Sequence, residues 1–170
     1  MFVREIRMRR ALFCILLIGA VVLFLGLRTE TGAHSTSGAP ATMCMDCHIL
    51  PKGAEIEVDN LPKTFRPGST YEMTIRVESA VKSMGDVQGG FAVSVSDGEL
   101  IVADPQNTQK SDGYITHTAE GVLQRSWKFK WQAPKEKKKV TLNISVIAAN
   151  GDFAPANDGF ARREFVLQPQ

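Results

Sequence analysis

The chain has 170 residues, of which 44% are hydrophobic and 22% charged, so it has room for one globular domain and a short leader or anchor. These fractions are typical of folded soluble domains and argue against a disordered chain. The formal net charge of +2, from 20 basic and 18 acidic residues, gives no support for nucleic-acid binding.

The N-terminal segment combines a basic flank with an apolar run. Four arginines lie within residues 1–10, and residues 11–27 carry no charge. At ~1.5 Å per residue this run falls slightly short of the ~30 Å hydrocarbon core, so its length fits either an uncleaved transmembrane helix or a removed signal peptide. We expect residues 1–28 to be that anchor or signal segment. Both alternatives place the rest of the chain on the periplasmic, extracytoplasmic side of the inner membrane, because the arginines stay in the cytoplasm.

A short cysteine motif follows a flexible spacer. Residues 29–43 are rich in Thr, Ser, Gly and Ala and show no periodicity, which predicts the spacer. Segment 44–54 begins with Cys44-Met45-Asp46-Cys47-His48, a C-x-x-C-H sequence. In this signature two thiols add to the vinyl groups of a c-type haem and the histidine ligates the iron. The motif therefore predicts one covalent haem c on Cys44 and Cys47, with His48 as an iron ligand.

Three other interpretations of the cysteine pair remain open. A zinc site would need two further ligands, for which only His34 and His117 are available. A thioredoxin-like dithiol would lie in a βαβ context, and the sequence does not predict one here. A simple disulfide is the remaining alternative. Export favours haem, because haem is attached to such motifs outside the cytoplasm.

The second iron ligand is less clearly indicated. His117 is favoured over Met84 and His34, with a hydrogen-bonded structural histidine as its alternative role. Met73 falls on the apolar face of a predicted strand and is expected to fill the core. Met84 falls in a predicted loop. Ligation by two histidines would favour a lower reduction potential, whereas a methionine ligand would raise it.

From residue 55 onward the sequence alternates between apolar and polar residues, which predicts half-buried strands. The clearest runs cover residues 56–58, 71–77, 91–95, 127–131 and 140–146. Turn signals separate them, among them Gly89-Gly90 and Asn150-Gly151-Asp152. We therefore expect residues 55–170 to form an all-β domain, an antiparallel β-sandwich.

Several short segments, taken in order, resemble one bacterial group of proteins. They are the C-x-x-C-H motif, Phe65-Arg66-Pro67-Gly68, Gly89-Gly90-Phe91, Tyr114-Ile115-Thr116-His117 and Ala149-Asn150-Gly151-Asp152. This order resembles Reeler-like, choice-of-anchor-type β-sandwich proteins with an N-terminal haem motif. The resemblance implies an immunoglobulin-like sandwich, an extracytoplasmic location and His48 as the proximal iron ligand.

Together these features predict a membrane-tethered monohaem c-type cytochrome that relays electrons, docked on a membrane-embedded respiratory or photosynthetic complex. No Ser/His/Asp arrangement, carboxylate pair or phosphate-binding glycine loop indicates an enzyme. The alternative is a membrane-anchored Reeler-like binding or assembly subunit without haem, in which Cys44 and Cys47 form a disulfide. A ligand-binding or peroxidase-like haem with an open sixth position is the third hypothesis.

Overall fold

Alternating apolar and polar side chains build two β-sheets in the computed structural model, which describes residues 52–152, 154 and 156–170. In strands such as β4 and β9 the apolar residues are buried and the polar residues between them are more exposed, as the sequence pattern requires. The strands are β1 (Lys52–Gly53), β2 (Glu55–Asp59), β3 (Thr64–Phe65), β4 (Thr70–Glu78), β5 (Gly89–Val95), β6 (Glu99–Val102), β7 (Thr108–Ser111), β8 (Tyr114–His117), β9 (Ser126–Gln132), β10 (Val140–Ala148) and β11 (Gly159–Pro169). A single 3₁₀ turn, η1 (Gly121–Leu123), is the helical element of these residues.

The smaller sheet has four antiparallel strands in the order β2-β4-β9-β6. Its central pair aligns Met73 with Phe129 and Ile75 with Trp127, and all four side chains are buried. Directly opposed residues of neighbouring strands share a face, so this pairing makes one continuous apolar surface.

The larger sheet has seven strands, with the main order β1-β11-β10-β5-β8-β7 and β3 also paired to β11. Most of its pairs are antiparallel, but β1 and β3 both pair with β11 in parallel. The predicted antiparallel sandwich is therefore confirmed with this one correction. The reason is the length of β11: one edge is occupied by β10, and the other receives two short strands near its two ends.

The core lies between the two sheets and is rich in aromatic side chains. The almost fully buried side chains are those of Trp127, Trp131, Phe129 and Phe65, together with Val140, Leu142, Ile144 and Val146 of β10. The Trp127 indole N–H donates a hydrogen bond to the carbonyl oxygen of Gly121 at 2.7 Å, so its burial leaves no donor unsatisfied. Burial of this apolar area, at about 25 cal/mol per Å², is the main force that holds the sheets together.

The predicted strands are confirmed at all five clear runs, but Gly89-Gly90 was assigned wrongly. Both glycines lie inside β5 and are buried, rather than in a turn. A Cβ on Gly89 would lie 2.3 Å from the Ile147 carbonyl oxygen, and one on Gly90 would lie 2.5 Å from Nε2 of His117. The two glycines are thus explained by close approach of neighbouring groups.

Loops connect the strands at both ends of the sandwich. The Lys52 end includes β1 and the loops 79–88, 103–107, 118–125 and 149–158, with residues 153 and 155 outside the described part. The Asp97 end includes the loops 66–69, 96–98 and 133–139. The chain that carries the cysteine motif joins the domain at the first of these ends.

Candidate functional site

The predicted haem-attachment residues Cys44, Cys47 and His48 lie outside the described residues, as do His34 and the apolar run 11–27. The assignments made for them stay predictions. In residues 52–152, 154 and 156–170, no helix has the length and apolar character needed to cross a membrane. The structure does define where the chain from the motif meets the sandwich.

Lys52 and Gly53 attach the chain to the sandwich immediately after the motif. The Lys52 N–H donates to the Asp158 carbonyl oxygen at 2.7 Å, and the Ser79 hydroxyl donates to the Gly53 carbonyl oxygen at 2.8 Å. Four residues of chain span at most about 14 Å, so covalent geometry alone keeps the backbone of His48 within that distance of Lys52. The structure of the motif itself lies outside the described residues.

Met84 is an exposed methionine in a hydrogen-bonded loop at the Lys52 end. Its residue is 79% exposed, and its N–H donates to the Asn150 carbonyl oxygen at 2.8 Å. The Ser83 hydroxyl donates to the Val87 carbonyl oxygen at 2.6 Å and accepts from the Gly85 N–H at 3.2 Å. The loop is thus fixed by hydrogen bonds on both sides of Met84, while the thioether itself faces solvent.

His117 lies at the same end of the sandwich but is buried. It is only 6% exposed, at the end of β8, with its ring tilted against Phe91 at a centroid distance of 6.5 Å. Gly90 and Gly121 make room for it, since a Cβ on Gly121 would lie 3.1 Å from that of His117. Its Nδ1 lies 3.4 Å from the Thr118 carbonyl oxygen. The surroundings are those of a packed histidine, and its predicted role as an iron ligand stays a prediction.

Arg125 connects the loops of the Lys52 end. Its guanidinium donates to the carbonyl oxygen of Gln88 at 2.9 Å and to that of Ala149 at 3.1 Å. Partial burial lowers the pKa of Arg125 below its usual value, and the charge of Glu78 acts in the opposite direction. The guanidinium therefore links two loops, and the Gln88 carbonyl oxygen also accepts from the Ala149 N–H at 2.9 Å.

A second group of hydrogen bonds fixes the loop 149–158. The Asn150 N–H donates to a carboxylate oxygen of the buried Asp158 at 2.9 Å, and the Asn150 amide donates to Asp152 at 2.9 Å. The sequence indicated only a turn at Asn150-Gly151-Asp152. The parts played by Asp158 and Arg125 were missed, because their partners are backbone groups distant in sequence.

Burial and the grouping of polar side chains bear on the other candidate ligand residues. Met73 is fully buried between the sheets, which confirms its prediction as core filler. No group of three or more His, Cys, Asp or Glu side chains able to hold a metal ion occurs within the part of the chain that the structure describes. By the chemistry of their donor atoms, Met84 and His117 are the groups at the Lys52 end that fit the role of an iron ligand.

No family model and no curated protein matches the sequence. Solved structures give a likeness in fold. The reeler domain of human F-spondin aligns with a TM-score of 0.50 at 15% identity, covering 71% of this chain and 90% of that one, and a second crystal structure of that domain aligns with 0.49 at 18%, covering 71% and 91%. A lipoprotein of Bacteroides thetaiotaomicron aligns with 0.44 at 12%, covering 75% and 89%. At these identities the fold alone follows, and the domain after residue 52 has the Reeler-like β-sandwich fold.

Proposed function

We propose that this protein is a membrane-tethered monohaem c-type cytochrome that relays electrons on the extracytoplasmic side of the inner membrane. The observation that carries the proposal is the sequence Cys44-Met45-Asp46-Cys47-His48. In this proposal Cys44 and Cys47 hold the haem through thioether bonds and His48 ligates its iron. The bound haem would supply one-electron transfer, and the protein would act as a carrier and not as an enzyme.

The cysteine inventory supports a cofactor role for the pair. The chain has three cysteines, of which Cys14 lies in the apolar run, and none follows Cys47. No cysteine of the sandwich is therefore available to pair with Cys44 or Cys47. A domain with a well-formed aromatic core does not need a small local disulfide for its stability. Attachment of a ligand is therefore the better explanation for the thiols of Cys44 and Cys47.

In this proposal different segments of the chain would bind the haem, position it and hold the protein at the membrane. The motif binds the haem covalently, and the hydrogen bonds of Lys52 and Gly53 hold the chain behind the motif against the sandwich. The rigid loops of the Lys52 end would cover part of the haem and exclude water, which helps to set its reduction potential. The apolar run 11–27 would keep the domain beside a membrane-embedded electron-transfer complex, which is the proposed partner.

Haem staining of the full chain tests the proposal. The protein is produced in a bacterium that attaches haem to C-x-x-C-H motifs, extracted in detergent, boiled and separated on a denaturing gel. The wild type and the matched control Cys14→Ser are expected to keep the stain, whereas Cys44→Ser/Cys47→Ser is expected to lose it. Loss of staining in all three overturns the haem proposal and favours the Reeler-like binding subunit with a disulfide.

The proposed orientation has its own test. A reporter enzyme that is active only in the periplasm is fused after residue 43, downstream of the apolar run. Full reporter activity in the membrane fraction supports a single-pass anchor, because the arginines before the run retain the N-terminus in the cytoplasm. An inactive reporter overturns the proposed location, and activity that appears in the soluble periplasmic fraction overturns the anchor in favour of a cleaved signal peptide.

A further inference from the structure

We propose that the outer face of the larger sheet is an interface between two copies of this chain. The outer face is the surface of β5, β10 and β11 that points away from the core. A two-fold axis would cross the strands at the level of Ile144, so that each strand packs antiparallel over its own copy. This inference goes beyond the proposed function and does not depend on the haem.

The strand register defines which residues form this outer face. Alternate residues of β10, from Val140 to Ala148, are buried in the core, so the residues between them lie on the opposite side of the sheet. Directly opposed residues of neighbouring strands share a face. The outer face therefore carries Thr141, Asn143, Ser145 and Ile147 of β10, Phe160, Arg162, Glu164 and Val166 of β11, and Gly90, Ala92 and Ser94 of β5.

Two buried polar atoms of the outer face have no hydrogen-bond partner among the described residues. They are the hydroxyl oxygen of Ser145, a residue that is only 1% exposed, and the side-chain carbonyl oxygen of Asn143. A buried polar group without a partner is costly, and most such groups in proteins are paired. A hydroxyl can donate and an amide carbonyl oxygen can accept, so these two groups are complementary to each other.

The charges of the outer face are also unpaired, unlike those on the outside of the smaller sheet. There the Lys130 ammonium lies 3.3 Å from a carboxylate oxygen of Glu72 on the neighbouring strand. Arg162 and Glu164 are exposed and form no ion pair with any residue of the described part. They lie two residues apart on β11, so a copy that runs in the reverse direction would place opposite charges together.

One two-fold axis brings the charged, polar and apolar groups of the outer face together in matching pairs. About the level of Ile144, each residue faces the one that lies equally far on the other side of the axis. Ser145 is level with Arg162, and Asn143 is level with Glu164, so both pairs are exchanged at once. The resulting contacts are Arg162 with the partner's Glu164, Ser145 with the partner's Asn143, and Phe160 with the partner's Val166, each formed twice.

The remaining side chains of the outer face suit close packing of two sheets. Stacked sheets lie about 10 Å apart and keep their strands within about 30° of each other. On β5 and β10 this face carries no charged residue, and β5 contributes only Gly90, Ala92 and Ser94. The two charged residues lie to one side, on β11, where Val166 is 51% exposed. An uncharged centre with charges beside it is typical of a protein interface.

Charge reversal tests the two-fold pairing, with sedimentation equilibrium of the full chain in detergent as the measurement. The wild type is expected to be a dimer. Arg162→Glu or Glu164→Arg alone is expected to weaken dimerisation by about tenfold or more, because two attractive pairs become repulsive. The exchange Arg162→Glu/Glu164→Arg is expected to restore the dimer, as is an equal mixture of the two single variants. The matched control Lys128→Glu, on the outside of the smaller sheet, is expected to leave dimerisation unchanged.

Ser145→Ala tests the buried hydroxyl. The hydroxyl has no partner within the described residues, so its removal is expected to weaken dimerisation without lowering the free energy of unfolding of the monomer. Loss of monomer stability with unchanged dimerisation would assign the hydroxyl to the fold and overturn its part in the interface.

The charge variants decide the inference as a whole. A wild type that is monomeric at every concentration overturns it, as does a dimer that neither single reversal weakens. A dimer that a single reversal weakens but the exchange does not restore overturns the two-fold pairing. Both residues are exposed, so circular dichroism of every variant is expected to match the wild type, which excludes misfolding as the cause of dissociation.

Discussion

The Lys52 end and the Asp97 end close the same sandwich by different means. At the Lys52 end the loops are held by hydrogen bonds from Ser83, Asn150 and Arg125 to backbone and side-chain groups, and apolar side chains remain in solvent. At the Asp97 end, aromatic rings pack together under an ion pair. The same strands run between the two ends. The ends therefore differ in which side chains their loops expose to solvent.

The Asp97 end is built around the buried ring of Trp131. Trp131 is fully buried, packs edge-on against Phe65 at 5.2 Å and stacks on Tyr71 at 5.8 Å. Its indole N–H donates to the Asp97 carbonyl oxygen at 3.0 Å, and the Asp97 carboxylate pairs with Lys138. At this end the large rings are packed, whereas at the Lys52 end Met84 and Leu123 remain exposed. Under the proposed function, variants at the Asp97 end should therefore change the stability of the domain without changing the spectrum of the haem.

The largest expected effect is on stability, from Trp131→Ala at the Asp97 end. Removal of a fully buried indole that contacts two other rings should lower the free energy of unfolding by about 3–5 kcal/mol. Denaturant unfolding followed by circular dichroism measures the loss. The haem spectrum of the folded variant should equal that of the wild type, and a changed spectrum would contradict the separation of the two ends.

Gly90→Ala is expected to have the next largest effect, at the Lys52 end. The new Cβ would meet the His117 ring at 2.5 Å, and such overpacking costs about 1–3 kcal/mol. A double-mutant cycle with His117→Ala measures the coupling, because removal of the ring removes the clash. The double variant should be more stable than the sum of the single losses predicts. Strict additivity would show that His117 does not occupy this space.

Ser83→Ala and its matched control Ser96→Ala compare one hydrogen-bonding serine at each end. Ser83 bonds to Val87 and Gly85, and Ser96 accepts from the Thr141 N–H at 2.9 Å. Each variant should lose about 1 kcal/mol of stability in thermal unfolding. An unchanged melting temperature in Ser83→Ala would show that the hydroxyl of Ser83 does not hold its loop.

The smallest effect is expected from the exposed pair Asp97 and Lys138. The hydrogen bond from Lys138, followed by that from the Gly98 N–H, lowers the pKa of Asp97, and the same contact with Asp97 raises the pKa of Lys138. The stability from Asp97 is therefore present above its ordinary value of 3.8 and is lost as the pH falls through the lower folded value. That from Lys138 is complete below 10.5 and is lost as the pH rises through the higher folded value.

Asp97→Asn tests this pair. The difference in unfolding free energy between the wild type and the variant should be small near neutral pH, should shrink in acid and in strong alkali, and should fall with added salt. Urea unfolding across the pH range measures it. A difference that grows toward acid pH would contradict the assigned direction of the Asp97 shift.

The sequence predicted the strands best where one face of a strand is buried and the other is in solvent. The alternation of residues 71–77 and 127–131 follows from that arrangement alone. β11 escaped prediction because Arg162, Arg163 and Glu164 interrupt its period, and its assignment depends on pairing with three other strands. Gly89-Gly90 had the composition of a turn, yet groups distant in sequence determine both positions.

The candidate site was predictable only in part for a similar reason. The C-x-x-C-H motif is local, so its chemistry can be read from five consecutive residues. The exposure of Met84 and the burial of His117 depend on loops brought together by Asn150, Gly151 and Arg125, which no local pattern reveals. The different surroundings of these two side chains therefore follow from the three-dimensional arrangement of the Lys52 end.

Intact-mass spectrometry of the purified, denatured full chain tests the central proposal most directly. The wild-type polypeptide is expected to be heavier by one haem, and that added mass is expected to be lost in Cys44→Ser/Cys47→Ser but not in Cys14→Ser. A mass equal to that of the polypeptide less two hydrogen atoms, in both the wild type and Cys14→Ser, would show a Cys44–Cys47 disulfide and would contradict the assignment of this protein as a c-type cytochrome.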